Sequence, residues 1–281
     1  MPESVGIYYF FHAAENTTTN RPPVVLIHGA GGNHLSWPPQ IRRMAGENIF
    51  ALDLPGHGQS EGGGRQSIDE YAEDVIAFMK SLKIRSAVIV GVSMGSAIAL
   101  TIALKYPKKV VGLALLGGGA KMRVAPTVLE TAGNPNTFES TVEWINTNCF
   151  SEHASQSLVQ LSKENMLKMR PPVLLGDFLA CNGFSVVDQI ETINLPTVVI
   201  CGADDKMTPS KFSESLHGGI ANSTLHILEH AGHMVMLEQP DDVADLLKRF
   251  LDGLPVRRKR TKKRLISDGV TDSISEAESI P

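Results

Sequence analysis

One serine in this chain is plainly arranged for covalent chemistry: Ser93, in Gly91-Val92-Ser93-Met94-Gly95. The four residues before the motif, Ala87-Val88-Ile89-Val90, are apolar and mostly β-branched, and the stretch Ser96 to Leu104 is apolar enough for a buried helix. Strand, abrupt turn and helix with a serine at the corner would raise the hydroxyl above a sheet edge and aim the next peptide N–H at a developing oxyanion. The glycines two residues away on either side remove side chains that would clash at so tight a corner. Such a motif arises by chance in roughly one chain in ten of this length. A hydroxyl is also a poor nucleophile alone, so the chain must supply a base, an acid to orient it and a second oxyanion donor.

Nine histidines compete for the role of base. His233, in Glu229-His230-Ala231-Gly232-His233, follows the last apolar run and is the expected base, in the order Ser…Asp…His. His230 is its competitor; so close to the strand, it is expected to be held by sheet geometry, with Gly232 giving His233 freedom to swing. The acid is expected after the apolar run Thr197–Cys201, where Gly202-Ala203-Asp204-Asp205-Lys206-Met207-Thr208-Pro209 offers two aspartates. The loop after 110–116 offers only Gly117-Gly118-Gly119-Ala120 and no carboxylate. Spacing leaves Asp204 and Asp205 both open.

The elements that must position these groups alternate along the chain. Strands are expected at 7–11, 23–27, 48–52, 87–90, 110–116, 197–201 and 224–228. Helices are expected after His28-Gly29-Ala30-Gly31-Gly32 through Ile41 and Met44, from a Ser67…Glu70 capping box to Leu82, from Ser96, near 210–216 and over 241–251. Continuous apolar strands alternating with helices imply a mostly parallel sheet covered on both faces, with reactive loops at its carboxyl edge. From 121 to 190 no strand-like run is convincing, and methionines, prolines and helical stretches dominate. The expected organisation is a core of 1–120 and 191–254, a mostly helical insertion at 121–190, and a disordered tail at 255–281.

Composition bounds the partners. The chain of 281 residues has 20% charged and 42% hydrophobic residues, ordinary for a soluble globular protein. Its three cysteines, Cys149, Cys181 and Cys201, are odd in number and share no ligand spacing, which suits free thiols in a reducing compartment. Without a signal-like N-terminus or an apolar run near 18 residues, a cytoplasmic location is expected. Arg257 to Arg264 holds 7 of the 26 basic residues. Residues 1–256 then carry 19 basic against 26 acidic groups, a net −7 that offers no basic face for nucleic acid. The basic run itself suits a solvated extension, a weak contact with anionic membrane or a nuclear address.

Taken together, these motifs resemble the α/β-hydrolases of the serine esterase (carboxylesterase-like) type. The likeness spans residues 5–254 and rests on His28-Gly29, Asp53-Leu54-Pro55-Gly56-His57-Gly58-Gln59-Ser60, Gly91-X-Ser93-X-Gly95, Gly202-X-X-Asp205 with Thr208-Pro209, and Gly232-His233 with Glu238 and Pro240. The resemblance implies an eight-stranded, mostly parallel sheet with a helical cap inserted after the sixth strand. It also implies a Ser93–His233–Asp205 triad, with Asp205 chosen over Asp204, and an oxyanion hole of the Ala30 and Met94 backbone N–H groups. His28 and His57 are then structural and Asp53 fastens a loop. No cofactor and no metal is implied.

The likeness also narrows the chemistry. Haloalkane dehalogenases and epoxide hydrolases place an aspartate where this chain has Ser93, and all four tyrosines (Tyr8, Tyr9, Tyr71, Tyr106) fall outside the expected cap. Proline aminopeptidases resemble Gly-Gly-Ser-Trp-Gly at the elbow, which Val92 and Met94 do not match. Ester hydrolysis of a small or medium apolar molecule leads. Carbon–carbon hydrolysis of a β-diketone-like acid follows, although its enzymes often carry Asn where this chain has Val92. Thioesterase or perhydrolase activity and a slow-turnover ligand receptor stand behind these. The region 121–190 carries Phe138, Trp144, Phe150, Met166, Met169, Leu174, Leu175 and Phe178, most of them expected to be ordinary packing and some to line the pocket.

Overall fold

Eight strands form one sheet in the computed structural model, which describes residues 3–15 and 21–255. In chain order they are β1 (Glu3–Ser4), β2 (Ile7–His12), β3 (Val24–Ile27), β4 (Ile49–Leu52), β5 (Ala87–Val92), β6 (Val110–Leu116), β7 (Thr197–Gly202) and β8 (Ser223–Leu228). They lie side by side as β1-β2-β4-β3-β5-β6-β7-β8. The β1–β2 and β2–β4 pairs are antiparallel and the rest parallel. Strand residues alternate between two cores, as the period of two requires. Val25, Ile27, Ile89, Leu113 and Val199 pack on one face, and Val24, Leu26, Val88, Val90, Ala114 and Val198 on the other.

The helices are α1 (Pro39–Arg42), α2 (Ile68–Ser81), α3 (Met94–Lys105), α4 (Pro126–Thr131), α5 (Phe138–Cys149), α6 (Gln156–Met166), α7 (Pro171–Gly183), α8 (Ser210–Gly219), α9 (Val235–Glu238) and α10 (Pro240–Gly253). Helices α2, α3 and α8 cover the first face; α1 and α10 cover the second. Ser67 caps α2 by accepting the Glu70 N–H, at 3.2 Å. The first expected helix is much shorter than its pattern suggests. A 3-10 turn at His34–Ser36 precedes it, and Pro39 can start a helix only at its first turn. Four helices, α4 to α7, enter between β6 and β7, and a bridge between Lys121 and Ser185 joins the ends of that insertion. The insertion has its own apolar core around Val142, Ile145, Leu174 and Phe178. The basic run 257–264 lies outside the described residues.

Candidate active site

The corner after β5 is built on absent side chains. Ser93 sits at φ 53°, ψ −117°, in a region that costs an L-residue on the order of 1–3 kcal/mol. A Cβ on Gly91 would collide with the Gly95 carbonyl, and one on Gly95 with the Ile27 carbonyl at the end of β3. Gly95→Ala is therefore expected to destabilise the fold by about 3 kcal/mol or more, read as a lower urea midpoint. The Ser93 N–H donates to Leu116 O at 2.9 Å, which fixes the corner to β6. Met94 is the first residue of α3, so its N–H belongs to the open, positive end of the helix.

Opposite this corner, the loops after β7 and β8 bring His233 and Asp205 together. His233 Nδ1–H donates to Asp205 Oδ2 at 2.9 Å, and both residues are buried. The other carboxylate oxygen, Oδ1, accepts the Met207 and Thr208 N–H groups at 2.9 and 2.8 Å. Thr208 Oγ1 lies 2.8 Å from Asp205 Oδ2 and 2.9 Å from Gly117 O, so its single proton serves one acceptor at a time. Burial alone would raise the Asp205 carboxyl, but the charge and hydrogen bond of His233, with the Thr208 donors, outweigh it and hold the group below its ordinary range. Burial would likewise lower His233; the Asp205 charge and hydrogen bond, helped by Glu238, outweigh it and raise the imidazole above its ordinary 6.5.

The aspartate next door plays no part in this bond. Asp204 lies at the surface, and its N–H donates to Ala231 O at 2.9 Å. His230 is not held by the sheet: β8 ends at Leu228, and His230 is an exposed turn residue at φ 60°. Nor does Gly232 serve as a swivel. Its φ is not positive, and a Cβ there would press on the backbone of Phe150 and Ser151, so the glycine permits close contact with the insertion. Glu238 then locks the contact, accepting the Gly232 N–H through Oε1 and the Ser151 N–H through Oε2, each at 2.9 Å.

Behind the Ala30 loop, the polar side chains form a buried scaffold. Asp53 accepts the His34 N–H, His34 Nδ1–H and Gln59 N–H. His28 Nε2 accepts the Leu54 N–H at 3.0 Å, while Nδ1–H donates to Gly29 O at 2.7 Å. That pattern requires a neutral ring, and burial followed by the charge of His57 lowers His28 to about 4. The two nitrogens of His57 lie beside acceptors, Pro55 O at 3.1 Å and Asp177 Oδ2 at 2.7 Å, an arrangement that favours the cationic ring. Burial opposes that charge, but Asp177 outweighs it and raises His57.

Asp177, on α7 of the insertion, has no counterpart in the sequence reading. Fully buried, it accepts the Gly31 N–H (2.9 Å) and His57 Nε2–H through Oδ2, and the Tyr71 hydroxyl (2.6 Å) through Oδ1. One carboxylate thus ties the insertion to α2, to the His57 turn and to the residue beside Ala30. Its available signal is a single charge in an otherwise uncharged helix, Pro171–Gly183.

Ser93, His233 and Ala30 line one cavity of about 950 Å³, counting the solvent at its mouth. The core supplies Asn33, Met207, Met234 and, from α9, Leu237; the insertion supplies Ile145, Asn146, Leu158, Leu161, Met166 and Phe178 among others. Of the eight large apolar residues singled out in the insertion, Met166 and Phe178 line it. Phe138, Phe150 and Leu174 pack in the insertion's own core, and Trp144 is 46% exposed. Among the described residues, no Arg, Lys, Asp or Glu lines the cavity.

The fold and this corner define the class: the chain belongs to the alpha/beta hydrolase fold family, whose model matches residues 22–240. It is 28% identical over 248 residues to a 2-hydroxy-6-oxononadienedioate/2-hydroxy-6-oxononatrienedioate hydrolase of Pseudomonas sp, covering 81% of this chain and 87% of that protein. It is 26% identical over 244 residues to a pimeloyl-[acyl-carrier protein] methyl ester esterase of Neisseria meningitidis, covering 82% of this chain and 93% of that one. Among solved structures, a thermophilic esterase superposes with a TM-score of 0.75 at 30% identity, over 89% of this chain and all of the other. Among the described residues, no helix is long and apolar enough to cross a membrane.

Proposed function

We propose that this protein is a serine hydrolase that cleaves carboxylic esters of small or medium apolar molecules through an acyl-enzyme. Ser93 Oγ attacks the ester carbonyl carbon while His233 Nε2, the nitrogen not engaged by Asp205, takes its proton. The Ala30 and Met94 N–H groups receive the oxyanion. As the tetrahedral intermediate collapses, the C–O bond breaks and His233 returns the proton to the leaving alcohol. Water, deprotonated by His233, then attacks the acyl carbon, releasing the acid and restoring the Ser93 hydroxyl. Asp205 remains ionised throughout, holding the imidazole and offsetting its transient charge.

The observation that carries the substrate class is the lining of the cavity. Alkyl and thioether side chains from the insertion line the cavity with Ser93, beside the neutral Asn146, Ser162 and Asn165, and among the described residues no Arg or Lys lines it to pair an anionic substrate. This favours a neutral ester over carbon–carbon cleavage of a dioate, the substrate named in the Pseudomonas relative, which is a dianion at neutral pH. The test is a panel of p-nitrophenyl esters and ring-cleavage dienoates at equal concentration. Turnover of the butyrate ester with dienedioate turnover at background supports the reading; the reverse ranking overturns it.

A pH profile checks the base. His233 must be neutral to accept the proton, and Asp205 raises its pKa, so activity is lost as pH falls through that raised value. The acid limb of kcat/KM is expected above pH 6.5. Asp205→Asn is expected to move the limb down and to lower kcat by about 10⁴-fold. A limb unchanged in that variant would remove His233–Asp205 from the mechanism.

A further inference from the structure

Away from the cavity, three metal-ligating side chains from three distant segments meet at the surface. His153 follows α5 in the insertion, Asp204 follows β7 and His230 follows β8. One nitrogen from each imidazole and one Asp204 oxygen all lie within 4.8 Å of one another. The two rings stand edge to face, with centroids 4.5 Å apart and planes inclined by 69°. Their backbones are already fastened together. Ser151 Oγ donates to His230 O at 3.1 Å and accepts the His153 N–H at 3.3 Å, while the Asp204 N–H donates to Ala231 O at 2.9 Å. Glu238 secures the same corner through the Ser151 and Gly232 N–H groups.

We propose that His153, Asp204 and His230 form a site for a divalent transition-metal ion, Zn²⁺ foremost, that clips the helical insertion to the two loops carrying Asp205 and His233. Two imidazoles and one carboxylate are the donor set of Zn²⁺, Co²⁺ and Ni²⁺; Mg²⁺ and Ca²⁺ prefer oxygen alone. Bonds of about 2.0–2.1 Å place tetrahedral ligand atoms roughly 3.3 Å apart. Rotating side chains by an ångström or so closes the site while the hydrogen-bonded backbones stay in place. Water completes the coordination on the open side. Because the three segments are joined without the ion, metal strengthens an existing junction and does not create the fold. The neighbouring Asp205 and His233 are bonded to each other and lend no ligand.

Zn²⁺ titrated by calorimetry into the chelator-treated full chain is the test. One site is expected, and at about a hundredfold excess over Kd the melting temperature rises about 5 °C. A chelator reverses the rise, and Mg²⁺ at the same concentration gives none. The His153→Ala/His230→Ala double variant is expected to lose at least 100-fold in Zn²⁺ affinity and the whole melting shift, with metal-free ester hydrolysis unchanged. Asp204→Asn alone loses about tenfold. Should the double variant fail to fold, His153→Gln, at a side chain 49% exposed, gives the same reading. Zn²⁺ binding of undiminished affinity in these variants, or no heat and no melting shift in the parent up to millimolar Zn²⁺, overturns the proposal.

Discussion

Ser93→Ala is expected to lower kcat for a short p-nitrophenyl ester at least about 10⁴-fold, more than 5 kcal/mol of lost transition-state stabilisation. The fold should survive, because the Ser93 N–H bond to Leu116 O is a backbone bond that alanine keeps. Ser93→Gly sharpens the test. It is equally without a nucleophile, yet glycine takes φ 53° freely, so it is expected to stabilise the protein by about 1 kcal/mol. Urea titrations of the three proteins measure this directly. Activity and stability moving in opposite directions would identify Ser93 as a strained residue kept for chemistry. A Ser93→Gly protein less stable than the parent would show that the corner is not strained.

Asp177→Ala carries the largest expected stability loss, about 4–5 kcal/mol, a large share of the 5–15 kcal/mol typical of whole domains. It removes the acceptor of three buried donors and leaves the His57 cation unpaired in the interior. Asp177→Asn is milder and more informative. With its carbonyl oxygen kept on Tyr71, the new NH₂ group faces the Gly31 N–H and His57. The imidazole can shed a proton and accept, but Gly31 N–H cannot change sign and is left without an acceptor. Since Gly31 adjoins Ala30, kcat is expected to fall ten- to a hundredfold with KM little changed, the pattern of a disturbed oxyanion loop. Linkage gives a second readout. His57 is raised in the folded state, so its contribution is full below about pH 6.5 and fades as pH rises through the folded pKa. Asp177→Asn should flatten that alkaline decline. A variant with normal kcat would show that Asp177 holds the insertion alone.

How much of this was legible beforehand depended on range. The buried strands announce themselves because apolar runs such as Val24–Ile27 and Val88–Val92 have one solution, a sheet covered on both faces. The Ser93 corner is local, nine residues of pattern with its glycines in place. Asp177 is different. Its partner His57 lies 120 residues away, and nothing in Pro171–Gly183 separates a buried carboxylate from a solvated one until the insertion folds over the core. His230 and Gly232 show the same limit from the other side. Their order along the chain is plain, but their partners, the Ser151 hydroxyl on His230 O and the Phe150–Ser151 backbone against Gly232, belong to the distant insertion. Met166 at the end of α6 and Phe178 on α7 reach the cavity, while Leu174, one turn before Phe178 on the same face of α7, packs in the insertion's own core; position along the helix decides, which periodicity does not reveal.

The central claim is that Ser93 forms the covalent bond, activated by His233. Diethyl p-nitrophenyl phosphate tests it most directly, because water does not readily clear the adduct it leaves on an activated serine. One diethylphosphoryl group per chain is expected, mapped by peptide mass to Ser93, with p-nitrophenyl ester hydrolysis lost in proportion to labelling. In His233→Ala the labelling rate should fall at least about a thousandfold. Labelling on another residue, or full ester hydrolysis by a chain stoichiometrically modified at Ser93, would contradict the account.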